Sequence, residues 1–118
     1  KGQRATALLL LLLGASDAPL IIDQPEDDLD NNFVYQGVVR RLRDLKGKRQ
    51  VVASTHNANV PVLGDAELIV VLEGDGKRGR PAEGGIGSLD ERSVRSLAEN
   101  ILEGGPAAFN ARQHLYGF

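Results

Sequence analysis

The stretch Pro19-Leu20-Ile21-Ile22-Asp23-Gln24-Pro25-Glu26-Asp27-Asp28-Leu29-Asp30-Asn31 decides the fold. It opens as a short apolar run and turns into a cluster of carboxylates broken by one proline. An apolar run of this length, bounded by turn residues, suits a strand buried on both faces of a parallel sheet. Carboxylates just past such a strand sit at its carboxyl end, where open α/β sheets place ligands and metals. Asp23 is the first polar residue after the run and can serve a hard cation such as Mg²⁺ through oxygen. Pro25 stops the strand, and Asp30 or Asn31 can cap a following helix.

The residues after this stretch supply a partner strand. From about 31 to 46, Val34, Val38, Leu42 and Leu45 recur at the spacing of one helical face. Arg40, Arg41, Arg43 and Lys46 occupy the other side and the carboxyl end, where the helix dipole favours cations. This basic run offers a surface to nucleic acid, although a solvated helix face is the simpler reading. Gly47 closes the helix, and Gln50 to Ser54 reads as a second buried strand. Strand, helix and strand form a βαβ unit with parallel strands. The carboxyl ends of the two strands then lie side by side, and Asp23 meets the run Ser54-Thr55-His56-Asn57 at one sheet edge. A lone histidine is more often structural, but His56 beside an acidic cluster is a candidate for chemistry.

Upstream, Lys1 to Arg4 is basic, Ala5 to Leu13 is apolar, and Ala15 to Ala18 is small. That outline mimics a secretory signal peptide, and the apolar run is too short for a transmembrane helix. A strand signal follows it at once and position 1 is not methionine, so a buried leucine-rich helix ended by Gly14 is the better reading. In front of it, Gly2 lets backbone N–H groups at the helix start approach an anion.

Downstream, 57–63 reads as a loop with a helical turn, and Ala66 to Glu73 as a third strand. The segment 74–87 is rich in glycine and charge and reads as a mobile loop. Its Gly74-Asp75-Gly76-Lys77 is not a phosphate loop, because the positions that should hold glycine and Ser or Thr hold Val71 and Arg78. Ser88 and Glu91 suit a capping box. A helix follows with Val94, Leu97, Ala98, Ile101 and Leu102 on one face. Gly104 and Gly105 break it, and Pro106 fits the first turn of a last helix to about Tyr116.

The 118 residues suffice for one domain with a core. The 14 basic and 16 acidic residues leave a net charge of −2, so no global basic field marks a nucleic-acid binder. There is no cysteine, hence no disulfide framework and no thiolate metal site, which fits a reducing, cytoplasmic setting. Aromatic residues are few, so the core must be aliphatic. The absence of methionine suggests a piece of a longer protein.

Three motifs stand in a familiar order. Leu20-Ile21-Ile22-Asp23-Gln24-Pro25, followed by Leu29-Asp30, resembles the Walker B strand and D-loop of ABC-type ATPases. Lys1-Gly2-Gln3 resembles the tail of that family's signature, and Ser54-Thr55-His56 resembles its switch-histidine loop. The resemblance covers about residues 1–73 and is nearest to the SMC and RecF-like heads, with wording also similar to bacterial ATPases of the TrlF type. It implies an α/β fold with a mostly parallel sheet and flanking helices, the C-terminal lobe of a P-loop NTPase. The chain would be a single partial domain: a motif-bearing core at 1–73, a flexible loop at 74–87 and C-terminal helices at 88–118.

The resemblance also implies roles. ATP and Mg²⁺ are the cofactors, with Asp23 supporting the metal and His56 reaching the γ-phosphate. Gly2 and Gln3 meet the nucleotide of an opposing subunit, and Asp30 shapes the contact between heads that close as a homodimer. An N-terminal lobe would carry the Walker A loop, which this chain lacks, so this piece alone would be inactive. A nucleic-acid partner fits a role in DNA maintenance or defence; a membrane does not. The position of the family's catalytic glutamate holds Gln24, which orients water but cannot take its proton. Either Glu26 substitutes as base, or the domain is a non-hydrolysing ATP-gated clamp or interaction module. A phosphohydrolase using Asp23, Asp27 and Asp28 on Mg²⁺ is a third reading.

Overall fold

The computed structural model describes residues 16–25 and 37–116, together with 11 and 14, and the side chains of 115 and 116 are not described. Gly2, Gln3, Glu26, Asp27, Asp28, Asp30 and the start of the expected 31–46 helix lie outside these residues.

The apolar run ends as its chemistry dictates. Strand β1 is Leu20–Asp23 and stops before Pro25. Strand β2 is Val51–Ser54 and pairs with it in parallel, from Leu20 opposite Val51 to Asp23 opposite Ser54. Between them runs helix α1, Val39–Asp44, and residues 37 and 38 enter it through a wider, π-type coil; 31–36 lie outside the described residues. Val38 and Val39 are buried beneath it, and Arg41 and Arg43 stand in its last turn. Gly47 leaves the helix at φ 80°, a left-handed conformation that glycine adopts without steric cost.

The expected burial of β1 on both faces is not met. No residue of β1 or β2 belongs to the core, and Ile21 is 81% exposed. Leu11, expected inside a buried helix, is likewise exposed.

The sheet is also not mostly parallel. The described strands form two separate pairs, β1–β2 parallel and β3–β4 antiparallel. Strand β3 is Ile69–Gly74 and strand β4 is Gly79–Gly87, so the segment expected as a loop is mostly strand. The reason is local. Asp75 folds the chain back by accepting the N–H groups of Lys77 and Arg78 on Oδ1, each at 2.9 Å. Gly76 supplies the positive φ (88°) that such a turn needs. Those N–H groups, Arg78 first, hold the Asp75 carboxyl below its ordinary 3.8.

The core lies on the inner face of this hairpin. Ile69, Val71 and Ala82 meet Val94 and Ala98 of helix α2, Arg92–Ile101, and Ala108 and Phe109 of helix α3, Gly105–Tyr116. A π-helical turn, Asn59–Leu63, adds Val62 to this cluster; its Val60 and Leu63 pack with Val39 of α1 in a second one. Phe109 is the only buried aromatic among the described residues. The capping box does not form. The Ser88 hydroxyl accepts the N–H of Asp90 at 3.3 Å, two residues on, and α2 starts only at Arg92. Ile101, expected on the buried face of α2, is exposed, whereas Val94 and Ala98 are fully buried.

Candidate functional site

The parallel register puts Asp23 and Ser54 opposite each other at the carboxyl ends of β1 and β2. Both are exposed. The Ser54 hydroxyl donates a hydrogen bond to Asp23 Oδ1. It also accepts the backbone N–H of Gln24 at 3.2 Å, and the Ser54 carbonyl takes the same N–H at 2.8 Å. Gln24 bends away at φ 47°, left-handed backbone rare for a residue with a side chain. The chain therefore turns off the sheet edge immediately after Asp23, and Pro25 follows, buried, in a tight turn.

His56 lies two residues past Ser54 on a loop fixed from two sides. Locally, Thr55 Oγ1 accepts the N–H of Asn57 at 3.0 Å, and Asn57 Oδ1 accepts that of Asn59 at 2.9 Å. Across the fold, Glu103, just past α2, donates its N–H to the His56 carbonyl at 2.9 Å and accepts the N–H of Ala58 at 3.0 Å. The Glu103 carboxylate is 3.9 Å from His56 Nε2, with both side chains at least half exposed.

Of the candidate residues, the structure gathers Asp23 and Gln24 around Ser54; His56 follows two residues past Ser54 and meets Glu103. Gly2, Gln3, Glu26 and Asp30 lie outside the described residues. The run Ser54-Thr55-His56-Asn57, expected beside Asp23, supplies Ser54, which the in-register pairing puts opposite it. One partner escaped the sequence: Glu103 carries no local signal, because its place depends on where α2 ends.

Asp23 and Ser54 offer hard oxygen donors of the kind that Mg²⁺ takes. Among the described residues, no group of three or more His, Cys, Asp or Glu gathers in one place. No helix among the described residues is long and apolar enough to cross a membrane.

The chain matches no known family model and no curated protein. Among solved structures it is similar to an SMC ATPase, described with ATP-driven dimerization and DNA-stimulated activation. The two chains share 17% sequence identity at a TM-score of 0.58. The match covers 85% of this chain and 60% of the other, so this chain spans less than two thirds of that protein. The likeness is one of fold, an SMC-ATPase-like mixed α/β arrangement.

Proposed function

We propose that this chain forms the magnesium and γ-phosphate side of an ATP site in an SMC- or RecF-like ATPase. The observation that carries the reading is the pairing of Asp23 with Ser54 at the carboxyl ends of two parallel strands, with His56 two residues past Ser54. The order of the motifs and the SMC-ATPase-like fold support it. Mg²⁺ bound with ATP would neutralise charge on the phosphate oxygens. Asp23 would hold that ion, largely through its waters. His56 would donate toward the γ-phosphate. Gln24 would orient an attacking water, and Glu26 would take its proton. Gly2, Gln3 and Asp30 would serve the nucleotide and the contact of a facing subunit. The phosphate-cradling loop, which no stretch of this chain encodes, would come from an N-terminal lobe. TrlF-like ancestry rests on the wording around Asp23 alone.

A second reading has its own observation. Gln24 stands where the resemblance places a catalytic carboxylate, so the site also suits an ATP-gated clamp that closes with little turnover. One experiment separates the alternatives. Mg·ATP binding and ATP-dependent dimerization are measured on the full-length protein that carries this chain. Binding and dimerization lost in Asp23→Asn support the ATP site. A wild-type protein that does neither sinks both readings and leaves the interaction module. Dimerization without phosphate release favours the clamp. A DNA ligand would be sought in the same assay by its effect on phosphate release.

A further inference from the structure

We infer that Glu103, in the corner between α2 and α3, is a positioning residue that acts on His56 through its peptide groups rather than its carboxylate. The role of His56 toward the γ-phosphate rests on the reading above; the contact with the corner does not. The corner is short. The N–H of Leu102 donates to the Ala98 carbonyl at 3.1 Å and closes α2, and the Gly104 carbonyl accepts the N–H of Ala108 at 2.9 Å and opens α3. Between them, Glu103 gives both its peptide groups to the loop that carries His56. Its N–H donates to the His56 carbonyl at 2.9 Å, and its carbonyl accepts the N–H of Ala58 at 3.0 Å. Asn57 and Glu103 thus form one rung of a parallel ladder.

The rung holds the peptides before and after Asn57, so the backbone of His56 shifts only if the corner shifts with it. Ala58 is fully buried, and opening the rung would leave its N–H without a partner away from water, which is costly. The carboxylate adds less, because an ion pair as exposed as Glu103 with His56 contributes little. The corner in turn depends on Gly104. Its φ of 72° is left-handed, and a Cβ placed there would meet no atom within 4 Å. A side chain at this position is therefore opposed by backbone conformation alone. Asparagine tolerates that conformation, whereas a β-branched residue does not.

The test compares Gly104→Val, Gly104→Asn and Glu103→Ala in the full-length protein, with Val94→Ala as a gauge of general destabilisation. Amide hydrogen exchange at Ala58 and Glu103 reads the rung without any ligand. Gly104→Val should speed it severalfold beyond Val94→Ala, and Gly104→Asn should keep it as in wild type. Glu103→Ala, which retains the peptide, should leave both amides protected. Equilibrium binding of Mg·ATP and Mg·ADP reads the position of His56, since only the γ-phosphate tells the two apart. Gly104→Val should lower the preference for ATP about tenfold, the worth of a hydrogen bond to a charged group, and leave ADP binding unchanged; Gly104→Asn should restore the preference. Exchange no faster in Gly104→Val than in Val94→Ala overturns the proposal. So does a Glu103→Ala protein whose amides open as in Gly104→Val, or an unchanged ATP preference in a Gly104→Val protein whose rung has opened. A wild type that binds no ATP while the exchange results hold sinks the ATP reading and leaves Glu103 as the residue that positions His56.

Discussion

Asp23 stands at the end of β1 with one oxygen accepting from the Ser54 hydroxyl, and the chain bends away at Gln24. If the proposed site hydrolyses ATP, one group must accept the proton of the attacking water. Gln24 has no carboxylate, and Glu26 lies two residues on, past Pro25. If Glu26 is the base, Glu26→Gln in the full-length protein abolishes phosphate release and leaves ATP binding intact, while Gln24→Glu preserves or raises the rate. Normal turnover in Glu26→Gln, with Asp23→Asn and His56→Ala inactive, would send the search to Asp27, Asp28 or another chain. The sequence disclosed Asp23, Gln24 and His56 because polar residues just past apolar runs are visible without coordinates. It did not disclose Glu103, because a contact across 47 positions leaves no local pattern.

At the scale of elements, one ionic cluster joins three parts of the fold. Arg112 of α3, almost fully buried, donates to the carbonyl of Val62 in the π-helical turn at 3.0 Å and pairs with Asp65 at 2.8 Å. Lys46, just past α1, reaches the other oxygen of Asp65 at 2.7 Å. Burial alone pushes the Asp65 carboxyl up, but the hydrogen bonds and charges of Lys46 and Arg112 outweigh it, and the net shift is down from 3.8. A depressed carboxyl stabilises the fold fully above its unfolded value. The contribution is lost as pH falls below 3.8 through the lower folded value. Asp65→Asn suits the test because asparagine tolerates the left-handed backbone that Asp65 adopts at φ 57°. It should cost about 1–3 kcal/mol at neutral pH, since it leaves a buried guanidinium short of charge. In denaturant titrations the gap to wild type should narrow as pH drops below 3.8. A gap that stays constant would count against the cluster.

The core between elements makes its own prediction. Val94 has no exposed surface and sits where α2 meets the hairpin. Val94→Ala removes two buried methyl groups and should cost about 2 kcal/mol, read as a lowered urea midpoint. Ile101→Ala on the same helix is half exposed and should cost well under half of that. Equal losses would mean that α2 packs differently. The spacing on α2 named Val94 and Ala98 rightly and Ile101 wrongly, because the helix ends there and the chain turns extended at Leu102. The hairpin went unread for another reason. Asp75-Gly76 between β-branched residues and a glycine-rich run is a turn signal, but glycine density in 79–87 masked the strand beyond it.

At the scale of the molecule, apolar surface is left uncovered. Ile21 and Val52 are exposed on the parallel pair, and Val70 opposite Ile86, with Leu68 and Leu72, on the outer face of the hairpin. Strands with open edges and apolar faces associate. The isolated chain should therefore self-associate as its concentration rises, and Leu72→Lys with Ile86→Lys should suppress it. Sedimentation of a clean monomer at high concentration would contradict this. The sequence made the parallel pair legible, since two apolar runs joined by a helical period admit few other arrangements. What covers that pair was not legible, because burial depends on residues that no single apolar run names.

The same gap bears on the central claim, that this chain is one side of an ATP site whose phosphate loop comes from elsewhere. Steady-state phosphate release, measured in parallel on this chain and on the full-length protein, tests it most directly. Background release is expected from the chain alone. The full-length protein should show ATP-dependent release that is lost in Asp23→Asn. Release by the chain alone at a rate typical of an ATPase, or full-length turnover indifferent to Asp23→Asn, would contradict it.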